Sequence, residues 1–112
     1  MEKVFRDGVA QIRTAQPSGA LRDQLARTLA KLRTEHPSAD DDLRGKALAI
    51  RGFTLTLRGI QARLDMAAKD SGKLEAAVRD AQRSDRYLNR GAEVLRAAGR
   101  ALDVPVGVLN GH

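Results

Sequence analysis

Residues 43–64 read LRGKALAIRGFTLTLRGIQARL, and within them a Leu/Ile-Arg-Gly triplet returns three times, at Leu43-Arg44-Gly45, Ile50-Arg51-Gly52 and Leu57-Arg58-Gly59. The interval is seven residues. Seven is close to two turns of α-helix, so each residue type in the triplet makes its own stripe along one helix. Leu43, Ile50, Leu57 and Leu64 form an apolar stripe, and Phe53, Ile60 and Ala67 lie beside it at the complementary heptad position, with Lys46 as the odd member. This is a coiled-coil-like seam. Leu48, Leu55 and Ala62 lie on another side, about 140° away, and Gly45, Gly52 and Gly59 fall near it. Only the Arg44, Arg51 and Arg58 stripe is clearly polar. A helix apolar on two sides is expected to be central in its bundle or sandwiched in an assembly.

Glycine inside a helix costs about 1 kcal/mol relative to alanine, and close approach of a second backbone is the usual compensation. A matching stripe follows downstream: Ala77, Ser84, Gly91 and Ala98 are all small and recur every seven residues. Folding the chain back at Ser71-Gly72 sets Gly59 opposite Ser84, Gly52 opposite Gly91 and Gly45 opposite Ala98. The expectation is a tightly packed antiparallel hairpin of two long helices, about residues 39–70 and 73–102. Its second helix has a core row of Leu74, Val78, Ala81, Leu88, Ala92, Leu95 and Leu102, interrupted by Asp85. The same register puts Asp85 level with Arg58, as a half-buried ion pair or as a helix-edge carboxylate reaching water.

Two shorter helices precede the hairpin. The first spans about Glu2–Thr14, with Phe5, Val9 and Ile12 on one face. Gln16-Pro17-Ser18-Gly19 breaks it, and Ser18 has the chemistry of an N-cap. The second carries Leu21, Leu25, Leu29 and Leu32 and stops before His36-Pro37, because proline disfavours helix at the residue before it. Ser38 is the expected cap of the third helix, with Asp41 as its capping-box partner. Asp40, Asp41 and Asp42 suit the positive end of that helix and match no calcium loop. The fold class is therefore all-α: one bundle domain over residues 1–102, followed by a tail over 103–112. Pro105 bars the tail from continuing the helix. Val104, Val106, Val108 and Leu109 in that tail either pack down, add to a partner's sheet edge, or fray.

The composition narrows the function. The chain has 112 residues, no cysteine, three aromatic residues (Phe5, Phe53, Tyr87) and a net charge of +6 carried by fifteen Arg and five Lys. The lack of cysteine excludes thiolate metal sites and cysteine nucleophiles. No segment has the apolar length of a membrane span, and no signal-peptide pattern opens the chain, so the expected compartment is the cytoplasm, with leaderless secretion as the other route. His36 and His112 have no partners at triad or metal-ligand spacing, and there is no Glu-x-x-His or P-loop motif. No enzyme, metal or cofactor is expected.

Two function classes remain. In the first, the chain is a non-enzymatic interaction module (an oligomer subunit, adaptor or small chaperone) that binds a protein partner, or itself, through the apolar faces Leu43, Ile50, Phe53, Leu57, Ile60, Leu64, Leu48 and Leu55. In the second, the arginines bind phosphates. Arg44, Arg51 and Arg58 are joined on the fourth helix by Arg79, Arg83, Arg86 and Arg90, and no acid occurs between Leu43 and Leu64. Aromatic interleaving for base stacking is missing, which favours the first class. Over residues 20–64 the pattern resembles small helical-hairpin chaperones of type III secretion needles, with Ala20-Leu21-Arg22, a Leu row, a break and a second amphipathic helix. That resemblance implies a chaperone, although the long fourth helix has no counterpart there. Secreted WXG-type hairpin proteins are similar in length and form, but Ser71-Gly72 lacks their tryptophan, and Gly91 stands four residues after Tyr87 where they carry an acid.

Overall fold

A computed structural model describes residues 1–68, 74–107 and 109. It contains four helices: α1 (Glu2–Thr14), α2 (Gly19–Thr34), α3 (Asp40–Ala68) and α4 (Leu74–Leu102). The chain is all-helical, a small bundle built on the α3–α4 hairpin. The expected break at Ser71-Gly72 lies outside the described residues.

The glycine stripe is where the two long helices meet. An ideal Cβ placed on Gly52 would sit 2.7 Å from Leu95 Cγ and 3.1 Å from Leu95 backbone N, and one on Gly59 would meet Leu88 at the same two distances. At Gly45 the obstacle is the Leu102 side chain. Three leucines spaced by seven thus each cover one glycine. Small residues answer from the other side. Ser84, fully buried, donates its Oγ–H to the Gly59 carbonyl at 2.8 Å, and a Cβ on Gly91 would lie 3.1 Å from Gly52 O. Gly52 and Gly59 therefore each accept both a leucine and a close backbone. Burying one such leucine is worth about 1.5–3 kcal/mol, which exceeds the roughly 1 kcal/mol that each helical glycine costs.

The second buried side of α3 faces α1 and α2. Phe53 stacks at a tilt on Phe5, with ring centroids 5.7 Å apart. Gly8 makes room for it: a Cβ there would be 2.6 Å from Phe53 Cζ. Ser18 caps α2 through its Oγ, which accepts from Leu21 N–H at 3.1 Å. The Leu21, Leu25, Leu29 and Leu32 row is buried. Lys46, the odd residue in the apolar seam, reaches the C-terminal end of α2 and donates to the carbonyls of Arg33 (3.2 Å) and Glu35 (2.5 Å). A cation there satisfies orphan carbonyls and complements the helix dipole.

At its other end, α2 meets α3 where Arg22 Nη1 donates to Gln61 Oε1 at 3.4 Å. The second helix thus lies along α3 only between Lys46 and Gln61. Sixteen residues give α2 about 24 Å, against about 43 Å for a 29-residue hairpin helix. Three expectations for the apolar rows change for this reason. Leu74 is 80% exposed and Val78 46% exposed, rather than core residues of α4, because no short helix reaches their end of the hairpin. Leu43, one turn before Lys46, is 48% exposed. By contrast, Leu88, Ala92, Leu95 and Leu102 are core residues.

Two local expectations are also corrected. The third helix begins at Asp40, with the Ala39 carbonyl accepting from Leu43 N–H at 2.9 Å, so Ser38 stands one residue outside the cap position. Asp85 pairs with Arg63 (Nη2–Oδ1 2.5 Å), not with Arg58, which points to solvent. Arg63 lies one turn nearer the hairpin tip, on the side of α3 that faces α4.

The tail packs down. Asp103 takes a left-handed conformation (φ 56°), Val104 N–H bonds to Gly99 O at 2.8 Å, and Asp103 N–H points to Arg100 O at 3.4 Å. This is a Schellman stop with a non-glycine residue at its left-handed position. It turns the chain so that Val104, Val106 and Leu109 enter the main core. Val108 lies outside the described residues.

Candidate interaction surface

Successive helical residues step by about 100°, and α3 uses three consecutive steps. In Arg51-Gly52-Phe53, the arginine is exposed, the glycine faces α4 and the phenylalanine enters the core. Arg58-Gly59-Ile60 repeats the order. The fourth helix follows the same rule at Arg90-Gly91-Ala92, and at Arg83-Ser84-Asp85 with Asp85 in place of an apolar residue. Two antiparallel helices packed on matching positions are related by a two-fold axis across the pair. Residues one position before each small residue therefore emerge on the same side of the hairpin in both helices.

That side is the back, away from α1 and α2. Four residues before Gly52, Gly59, Gly91 and Ala98 stand Leu48, Leu55, Tyr87 and Val94, an apolar seam between the two Arg rows, and four before Gly45 and Ser84 stand Asp41 and Asp80, which end the seam. Leu55 and Tyr87 share one groove with Arg83, Arg86 and Arg90. Val94 is buried yet lies outside the main core, as expected of a second, smaller apolar layer. Leu48, Leu55 and Tyr87 are half-buried.

All seven arginines singled out in the sequence are exposed. Arg83 pairs with Asp80 at 3.2 Å and Arg90 with Glu93 at 3.0 Å. Among the described residues, Arg44, Arg51, Arg58, Arg79 and Arg86 form no ion pair. The apolar candidates divide by location. Phe53 and Ile60 are spent in the core, and Ile50, Leu57 and Leu64 pack half-buried against it. Leu43 is exposed at the end of the bundle, Leu48 has a back-seam position but also packs half-buried against the core, and Leu55 belongs to the back seam. Of the small-residue stripe, Gly45, Gly52, Gly59, Ser84, Gly91 and Ala98 are buried, and Ala77, near the tip, is half-buried.

Tyr87 and Val94 were not singled out as site residues, although their spacing of seven matches Leu48 and Leu55. The signal was present and was obscured because the core row of α4 claimed the stronger pattern.

His36 is exposed in the α2–α3 connection, and His112 lies outside the described residues. Among the described residues, no group of three His, Cys, Asp or Glu side chains converges. A small apolar cavity between Ile12, Leu21, Ile60, Leu88 and Leu109 has a volume of about 20 Å³, room for one water at most. No described helix is long and apolar enough to cross a membrane. Compared with protein-family models, curated proteins and solved structures, the chain shows no match.

Proposed function

We propose that this chain is a non-enzymatic helical interaction module that engages a protein partner through the back of the α3–α4 hairpin. The carrying observation is the division of labour between the hairpin's two sides. One side is closed by α1, α2 and the tail, while the other holds an apolar seam between two exposed Arg rows. A seam of this kind offers apolar contact at its centre and charge at its rim, the usual anatomy of a protein interface. Nucleic-acid binding is the second reading, favoured by the five arginines without ion-pair partners among the described residues.

A photo-crosslinking amino acid in place of Tyr87 tests both readings in the producing cells, with the same group at Lys31 on the exposed side of α2 as control. A discrete protein adduct from position 87 and none from position 31 is the expected result. Nucleic-acid adducts from position 87 would replace the first reading with the second. No adduct from position 87 counts against both.

A further inference from the structure

The seam also constrains the kind of partner it fits. Building on the interaction reading above, we infer that the back of the hairpin seats an amphipathic α-helix of a protein partner, apolar toward the seam and rich in Asp and Glu along both flanks.

The spacing selects a helix. Leu48 and Leu55 on one wall, and Tyr87 and the already buried Val94 on the other, are each seven residues apart, so that the half-buried Leu48, Leu55 and Tyr87 are the side chains a partner would touch. Seven residues of helix rise about 10.5 Å. A partner helix with apolar residues at heptad positions presents its knobs at that interval. An extended strand repeats its same-face side chains at about 7 Å and falls out of phase with the seam.

Charge selects the flanks. Arg44, Arg51 and Arg58 line one rim, and Arg79, Arg83, Arg86 and Arg90 the other, where Asp80 pairs with Arg83 and Glu93 with Arg90 and leave Arg79 and Arg86 without an ion-pair partner among the described residues. The α3 rim has no acid anywhere between Leu43 and Leu64. A second copy of this chain would bring the five arginines without ion-pair partners among the described residues (Arg44, Arg51, Arg58, Arg79 and Arg86) against the same five, so self-association through this side is opposed by a net like charge. An acidic partner helix places carboxylates against both rims, and arginine is suited to bidentate pairing with them. A nucleic acid would satisfy the rims but not the accessible floor, which is made of Leu48 and Leu55 with Tyr87 as its one aromatic ring.

The probe is a synthetic three-heptad helical peptide with Leu at the a and d positions and Glu at e and g. A Lys-for-Glu peptide of the same hydrophobicity is its control, and a single-stranded oligonucleotide is a third ligand. Anisotropy titrations use the full chain. The expected result is saturable binding of the Glu peptide that weakens as salt rises, with the Lys peptide at least tenfold weaker. Arg51→Glu combined with Arg86→Glu should reduce Glu-peptide affinity by tenfold or more. Because both positions are exposed, an unchanged melting temperature would show that the variant is folded, and Arg27→Glu combined with Lys31→Glu on the exposed side of α2 serves as the charge-matched control. Equal binding of the two peptides, no binding of the Glu peptide, or tighter Arg-dependent binding of the oligonucleotide overturns the assignment. A protein crosslink at position 87 alongside a failed Glu peptide would leave the interaction reading standing and remove only the acidic helix.

Discussion

Gly52 shows how one absent methyl group sets the geometry of the molecule. In an open helix, Gly→Ala gains about 1 kcal/mol from propensity. At Gly52 the new Cβ meets Leu95 at both its side chain and its backbone nitrogen. A side chain could rotate aside, but a helix backbone cannot move without carrying its neighbours, so the hairpin must separate locally. Overpacking of this kind costs about 1–3 kcal/mol. Gly52→Ala is therefore expected to lower the unfolding free energy by about 2 kcal/mol in urea titrations. Gly19→Ala, where the nearest atom is an Arg22 nitrogen at 3.7 Å, should leave stability unchanged or slightly higher. A stabilising Gly52→Ala would refute the close-packing account. Asp103 gives the opposite case. Its left-handed conformation (φ 56°) is one that glycine adopts without penalty. Asp103→Gly is expected to stabilise the fold by about 1 kcal/mol, read as a raised thermal midpoint.

Among the elements, α4 divides into a buried half and an exposed half. Leu88, Leu95 and Leu102 insert over glycines, whereas Leu74 and Val78 belong to the same apolar row but stand beyond the reach of α2. Leu95→Ala should cost about 2–5 kcal/mol, as buried leucines do. Leu74→Glu together with Val78→Glu should change the unfolding free energy by no more than about 0.5 kcal/mol; a large loss would place those residues in a core. The contrast also marks how far sequence alone could go. Stripes at positions 45/52/59 and 84/91/98 were legible because periodicity is local, and the hairpin followed from matching them. Which part of each stripe is covered depends on the lengths of α1 and α2 and on where they dock, and no local pattern in α4 records that. Gly8 is similar: its role is set by Phe53, 45 positions later in the chain. The Arg rows were read correctly as exposed stripes, but their location on one side of the hairpin required the antiparallel geometry. Lys46 looked like a flaw in a coiled-coil seam until the end of α2 was placed beneath it.

For the molecule as a whole, the tail is part of the bundle rather than an appendage. Val104, Val106 and Leu109 are each about nineteen-twentieths buried. Removing residues 104–112 exposes the core surface under them and deletes three apolar contacts, each worth about 1.5–3 kcal/mol. That sum is comparable with the whole stability of a small domain, about 5–15 kcal/mol. The truncated chain should keep its helical circular dichroism, bind ANS and lose a cooperative melt. A truncated chain that melts sharply near the intact midpoint would return the tail to the status of a loose end.

The leucine-over-glycine ladder has a further consequence, because anything that repeats can be displaced by one repeat. Sliding α4 along α3 by seven residues would again set leucines over glycines, with Leu88 on Gly52 or Leu95 on Gly59, and the turn would shift by only half that distance. The ladder is thus translationally degenerate. Among the described residues the degeneracy is broken by contacts between α3 and α4 that have no periodic copy, Arg63 with Asp85 and the Ser84 hydroxyl on the Gly59 carbonyl. In a slipped register Arg63 would face Val78 or Ala92 and lose its carboxylate partner. A weakly stabilising ion pair can therefore act as an index mark that selects one alignment among near-equals.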